Sequence, residues 1–213
     1  MPDTDGRSPR ERYRVQVRGE IKQRAWEQIA TAGVSALSLN AIAKQLGMSG
    51  PALYRYFANR DELITALVRD AYRSLADTVR DTFDNGADLG KLAHVIRDWA
   101  HTDPQRYFLI YGTPVPGYHA PDDTTAISNE ILAVLVEACG PLPDEPATPF
   151  DDHLDHHRAW AGDLPTTQTL HRVLSFWARL HGVLSLELAG HFGGMQFDPG
   201  LLIDEELSEL RAQ

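Results

Sequence analysis

Residues 38–57 read SLNAIAKQLGMSGPALYRYF, and their reading decides the fold. Leu39, Ile42, Ala43 and Leu46 recur at helical spacing, and Gly47 follows where a left-handed residue ends a helix. Ser49 is placed to cap a second short helix, and Pro51 falls in its first turn, where a missing amide proton costs nothing. Leu53 and Phe57, four apart, form the inward face of that helix. Gly50, Ala52, Tyr54, Arg55 and Tyr56 are left pointing outward. Small residues permit close approach to a major groove, Arg takes guanine edges bidentately, and Tyr hydroxyls donate to phosphates. Two short helices joined at Gly47-Met48-Ser49 are therefore expected to form a helix-turn-helix whose second helix reads base edges.

Those residues also carry a likeness. With the helix before them and Asn59-Arg60-Asp61-Glu62-Leu63 after them, they resemble the DNA-binding domain of the TetR family of transcriptional repressors over residues 17–68. Ala-Ile-Ala, Gly-Met-Ser, Leu-Tyr-Arg-Tyr-Phe and a basic residue followed by acid and Leu align without gaps. Gly50 stands where that family often carries Lys or Arg, and Pro51 is less usual there.

Charge divides along the chain. The 213 residues carry a formal net charge of -10, yet residues 1–60 hold ten Lys/Arg against five Asp/Glu, and the rest hold ten against twenty-five. A basic reading head on an acidic body shows this asymmetry, because only the part facing phosphate needs positive potential. No apolar run is long enough to span a bilayer and the first 18 residues lack an apolar signal core, so a cytoplasmic protein without a membrane partner is expected. The single Cys139 excludes an internal disulfide and a cysteine-cluster metal site; it reads as a small buried hydrophobe, with a redox sensor as the alternative.

Residues 1–14, rich in Asp, Arg, Ser and Pro, are expected to be disordered; Arg7, Arg10, Arg12 and Arg14 form either a minor-groove arm or a solvated tail. Val17, Ile21, Ala25, Ile29 and Ala32 predict an amphipathic helix stopped by Gly33, with Trp26 at its core edge. Ser38 caps the next helix, where its hydroxyl and the free amides can hold a phosphate. Asn59 and Glu62 start a long helix whose face is Ile64, Val68, Ala71, Leu75 and Val79. Helices are expected from about Ala87 to His101 and from Pro104, followed by a loop over 112–121 bearing Tyr118 and His119. The segment from about Asp123 to Cys139 is apolar on more than one face, which predicts a helix buried in a bundle, and the proline-rich 140–149 a surface linker. From Thr166 or Thr167, the stripe Leu170, Leu174, Trp177, His181, Leu184 and Leu188 predicts a helix of about six turns. Ala178, Gly182, Ser185 and Ala189 run beside it as a band of small residues that lets another helix come close.

Residues 177–187 resemble the signature of the WHG class of C-terminal domains found in TetR-like regulators, and residues 103–112 are similar to that class too. The likeness implies that the last two helices, with Leu207 on the final one, join those of a second subunit in a four-helix dimer interface. It also implies a ligand cavity walled by Trp99, Tyr107, Tyr111, Phe176, Trp177 and His181, suited to an apolar or aromatic small molecule. For His181, a satisfied core residue is the other reading, and the aromatics need no explanation beyond core packing.

One rival signal stands apart. In Asp151-Asp-His-Leu-Asp-His-His157, His153 and His157 fall four apart and could share a metal with Asp152 or Asp155. The alternatives are a solvated polar cluster between Pro149 and Pro165, or a helical-bundle metal protein or enzyme. No Ser-His-Asp order, phosphate-cradling glycine loop or HExxH occurs, so no enzyme chemistry and no cofactor is expected. The expected fold is all-α: a basic arm (1–14), a helix-turn-helix domain (15–62) and a ligand-binding and dimerisation domain (63–213). The expected function is that of a homodimeric regulator, a repressor released from a palindromic operator by its ligand. In the DNA-binding set, Tyr54, Tyr56 and Arg60 go to phosphates, Arg55, Ala52 and Gly50 lie nearest the bases, and Ser38 and Ser49 cap the two helices. A nucleoid-type DNA binder with no ligand is a third reading.

Overall fold

Ser8 starts the first helix. Its hydroxyl accepts from the Glu11 amide at 3.3 Å while the Glu11 carboxylate accepts from the Ser8 amide at 2.7 Å, and Pro9 fills the first helical position. This reciprocal box satisfies two of the donors a helix start leaves open. The helix therefore begins at Pro9, not near Val17, and the expected disordered arm is corrected over residues 8–14; Arg7 lies outside the described residues. The computed structural model describes residues 8–140, 142, 146–161 and 165–212.

The described residues form ten α-helices and no strand: α1 (Pro9–Ala32), α2 (Leu39–Gln45), α3 (Gly50–Tyr54), α4 (Arg60–Asp84), α5 (Leu89–Thr102), α6 (Pro104–Tyr111), α7 (Asp122–Cys139), α8 (Pro149–His156), α9 (Thr167–Leu188) and α10 (Pro199–Ala212). Two compact units part within α4. One holds residues up to Asp70 together with Thr113–Ala120, the other Ala71–Gly112 and Pro121 onward.

In the first unit, Val17, Ile21, Ala25 and Ile29 of α1 close over Leu39, Ile42, Leu53, Phe57, Leu63 and Leu67, all buried. Gly47, at φ 65°, makes the tight exit from α2. The loop after Gly112 belongs here: Val115 is buried and the Tyr118 hydroxyl lies 3.1 Å from Thr65 Oγ1.

The second unit is a bundle around Leu75, Val79, Leu92, Ile96, Tyr107, Leu135, Val173, Phe176, Leu180, Leu184 and Ile203. Its helices are cross-tied at their edges. Arg73 and Arg80 of α4 pair bidentately with Glu130 and Glu137 of α7, and Arg97 of α5 pairs with Glu187 of α9. Arg179 of α9 reaches Glu206 of α10 at 3.0 Å. Two expectations shift. α7 buries only the stripe Thr124, Ile131, Val134 and Leu135, leaving Ile127, Leu132 and Val136 half-buried, so it lies at the bundle's edge. α9 buries Leu170, Val173, Phe176, Leu180, Val183 and Leu184, a face rotated from the expected one, so Leu174, Trp177, His181 and Leu188 sit at its margin.

Candidate DNA-reading surface and sites in the helical body

The reading surface is built by caps. Ser38 accepts from the Ala41 amide and Ser49 from the Ala52 amide, each at 3.3 Å. Both hydroxyls are thereby committed to their own helix starts. Leu53 and Phe57 anchor α3 from beneath at zero exposure, which turns Tyr54 and Arg55 outward; Gly50, Ala52 and Tyr56 are half-buried. A Cβ added to Gly50 would come within 3.7 Å of Asn40 Oδ1, so the exposed starts of α2 and α3 stand side by side.

Two arginines have roles that spacing did not reveal. Arg60 donates from Nη2 to the Val34 carbonyl at 2.7 Å, tying the start of α4 to the turn after α1, so one of its five N–H donors is committed within the chain. Arg18 of α1 donates to the Tyr56 carbonyl and lies 4.1 Å over the Phe57 ring, bracing the end of α3. Only the fold shows these contacts, because they join residues 26 and 38 apart.

In the body, Tyr107 is the hub of a ring cluster. Its hydroxyl lies 3.0 Å from His181 Nδ1 and 2.9 Å from Ser185 Oγ, so it donates to one and accepts from the other. The His181 ring packs 4.3 Å from Tyr111 and 4.1 Å from Trp177, centroid to centroid. Burial lowers the His181 pKa to about 4, so the imidazole is neutral at pH 7. Burial likewise pushes the Tyr107 and Tyr111 phenols up, for Tyr111 with help from Tyr72 and Tyr107. His181 Nε2 and Tyr111 Oη are both buried with no hydrogen-bond partner among the described residues. Trp99 stands apart from these ring contacts and donates to Ser74 Oγ at 3.1 Å.

Three assigned residues face inward. Phe176 is not a pocket wall lying open to a ligand but core, 1% exposed. Leu207 lies deeper than expected, packed in that same core at 9% exposure. Ser185 turns inward to Tyr107, so the outward band on α9 is Ala178, Gly182 and Ala189, joined by Leu186 at 45% exposure. A Cβ on Gly182 would meet nothing within 4 Å, so that face is open within its own chain.

A cavity of about 460 Å³ lies elsewhere in the body, among Leu132, Val136, Trp160, Pro165 and Thr169. It contains none of the six residues expected to wall a ligand. The acidic-histidine segment forms α8, and its groups are spent locally. Asp151 caps the helix through Thr148 and accepts from His171 at 2.8 Å; burial would raise its carboxyl, but these contacts hold it low. His156 and His157 bond the carbonyls one turn back, and His153 stacks on His157 at 4.2 Å. Among the described residues no group of three His, Cys, Asp or Glu could hold a metal ion. No described helix is long and apolar enough to cross a membrane.

Comparison with known proteins matches residues 21–67 to the family described as bacterial regulatory proteins, tetR family, and residues 89–210 to a tetracyclin repressor-like C-terminal domain. The chain is 36% identical over 210 residues to the HTH-type transcriptional regulator Rv1816 of Mycobacterium tuberculosis, covering 91% of this chain and 90% of that one. It shares 65% identity with the crystal structure of SCO4313, described as regulatory, at a TM-score of 0.91 over 97% of this chain and all of the other. A TetR-family transcriptional regulator from Bordetella parapertussis shares the fold at a TM-score of 0.57 and 17% identity, over 91% of this chain and 93% of that one.

Proposed function

The chain belongs to the TetR family and is a DNA-binding transcriptional regulator, not an enzyme, and from that premise we propose that it is a homodimeric repressor released from a palindromic operator by an apolar or aromatic small molecule. The outward face of α3, with Tyr54 and Arg55 exposed over a fully buried Leu53 and Phe57, carries the DNA half of this reading. Arg55, with Gly50 and Ala52, lies nearest the bases; Tyr54 and Tyr56 hold phosphates, as do the helix starts behind Ser38 and Ser49. A two-fold dimer must set two such helices about 34–36 Å apart to enter successive major grooves.

The dimer forms through α9 and α10, where Ala178, Gly182, Leu186 and Ala189 present a low surface to a neighbouring helix. In the body, the ligand's polar tip answers His181 Nε2 and Tyr111 Oη. Leaving both groups buried and unpaired costs on the order of 1–3 kcal/mol each, which a hydrogen-bonding ligand would recover. Ligand then favours a spacing of reading helices unsuited to DNA, with a coupling of about 1–3 kcal/mol set by its differential affinity for the two states.

Fluorescence anisotropy on DNA from the gene's own upstream region, against scrambled competitor at physiological salt, tests the reading. Nanomolar, competitor-resistant binding with two subunits per site supports it, and small molecules can then be screened for release. Equal, weak binding to both duplexes by ligand-stripped protein would overturn the operator half.

A further inference from the structure

The first nine described residues are all exposed, yet residues 9–16 are fully helical. The first buried residue of α1 is Val17, and before it Tyr13 and Val15 stand 63% and 52% exposed. No core contact holds these turns in place. They persist because the Ser8–Glu11 box caps them and because they continue a helix already nucleated by its packed part.

Arg10, Arg14 and Arg18 are four apart in succession, so they share one side of this helix. Arg18 fixes which side it is, because it donates to the Tyr56 carbonyl and covers the Phe57 ring at the end of α3. At 1.5 Å per residue, Arg14 and Arg10 lie about 6 and 12 Å farther along α1 from that contact. Glu11 is held by the Ser8 amide and Glu20 accepts from Gln16, while Arg10 and Arg14 have no hydrogen-bond or ion-pair partner among the described residues. Like charges one turn apart on a helix repel, and a polyanion removes that penalty.

We propose that the exposed start of α1 is a second DNA-binding element: Arg10 and Arg14 hold backbone phosphates flanking the base pairs that α3 reads. The charge of the stripe and its continuity with the α3 surface through Arg18 select the phosphate backbone as occupant. The proposal rests on the operator-binding reading above and lengthens its footprint by contacts that carry no base preference. Two further phosphates per protomer make four per dimer, each contributing about 0.9 to the slope of log K against log salt.

The test uses the full chain and its Arg10→Gln/Arg14→Gln variant, titrated by anisotropy between 50 and 200 mM salt. The probes are two duplexes from the upstream region sharing one centre, the longer extended by several base pairs at each end, and a scrambled duplex of the longer length. Wild type should favour the longer duplex, and the variant should lose that advantage. Its salt slope should become shallower by about 3 to 4, with discrimination between upstream and scrambled DNA unchanged. Circular dichroism should show both proteins equally folded, since neither side chain is buried. An unchanged slope and length dependence would overturn the proposal, whether the start of α1 faces another protein, a lipid surface or only solvent. If wild type fails to discriminate upstream from scrambled DNA, the operator reading fails instead, and the slope difference on the scrambled duplex still decides whether these arginines hold phosphate.

Discussion

Acid should weaken the fold through one imidazole. The folded-state pKa of His181 is about 4 against an ordinary value of 6.5, because burial disfavours the charged ring. Between these two values the unfolded chain binds the proton and the folded chain does not, so stability falls as pH falls through that window. It is constant above pH 6.5 and levels off below about 4. Each pH unit is worth about 1.36 kcal/mol, so moving from pH 7 to pH 5 removes about 2 kcal/mol, and reaching pH 4 removes about 3. For a chain of this size 2 kcal/mol corresponds to a loss of roughly 4–8 °C in Tm. The titratable groups touching the ring are Tyr107 and Tyr111, whose raised pKa values keep them neutral throughout. Other histidines stand beside carboxylates, as His94 does with Asp204 and His101 with Glu187. The His181→Asn variant removes the titration, and its lost ring contacts with Tyr111 and Trp177 add an offset that does not depend on pH, so only the change with pH is compared and those pairs cancel in it. Urea unfolding of both proteins from pH 8 to pH 4.5 should show the variant gaining on wild type by about 2 kcal/mol between pH 7 and 5. Parallel curves would refute the assignment of a neutral, desolvated His181.

Other expectations are smaller in scope. Arg55→Ala should relax discrimination at particular operator positions by about 1–3 kcal/mol, whereas Tyr54→Phe should weaken binding to every sequence alike; anisotropy against a set of single-base operator variants separates the two. Gly182→Leu has open space within its own chain, so it should leave the subunit folded, as read by circular dichroism, while abolishing the dimer in sedimentation at micromolar concentration. Leu207→Ala should do the opposite kind of damage, costing about 2–5 kcal/mol by opening a cavity in the bundle, measured by denaturant unfolding. Arg60→Ala should cost about 1–3 kcal/mol of stability by removing the charged donor from the Val34 carbonyl, which keeps only the Leu37 amide, a loss that a variant touching only DNA would not show in the same unfolding assay.

What was legible in the sequence was local. The caps at Ser38 and Ser49 and the helix start at Thr166 stand where a hydroxyl meets an apolar period, and the left-handed Gly47 punctuates the turn between α2 and α3. The start of α1 was hidden by its composition: Ser-Pro-Arg-Glu is a capping signature, but the polar turns behind it bury nothing, so periodicity carries no trace of them. On α9 apolar residues occupy more than half the circumference, and two overlapping stripes share Leu170 and Leu184. Periodicity alone cannot choose between them. The choice fell to the contact of Tyr107 with His181 and Ser185, 74 and 78 residues away, and those same long-range bonds moved Ser185 from an outer face to an inner one.

The brevity of α3 sets a limit on information. Five residues, of which Gly50 and Ala52 have almost no side chain, leave Arg55 just past the helix end as the one long side chain assigned to base edges. Singling out one site among at least 10⁶ competitors requires the equivalent of about ten fully specified base pairs, and two copies of so small a reader supply only part of that. The remainder must be written into the duplex itself, in steps whose stiffness or groove width suits two heads held at a fixed separation. Selection of operators from random DNA should then return half-sites with few invariant letters and a strictly kept distance between them.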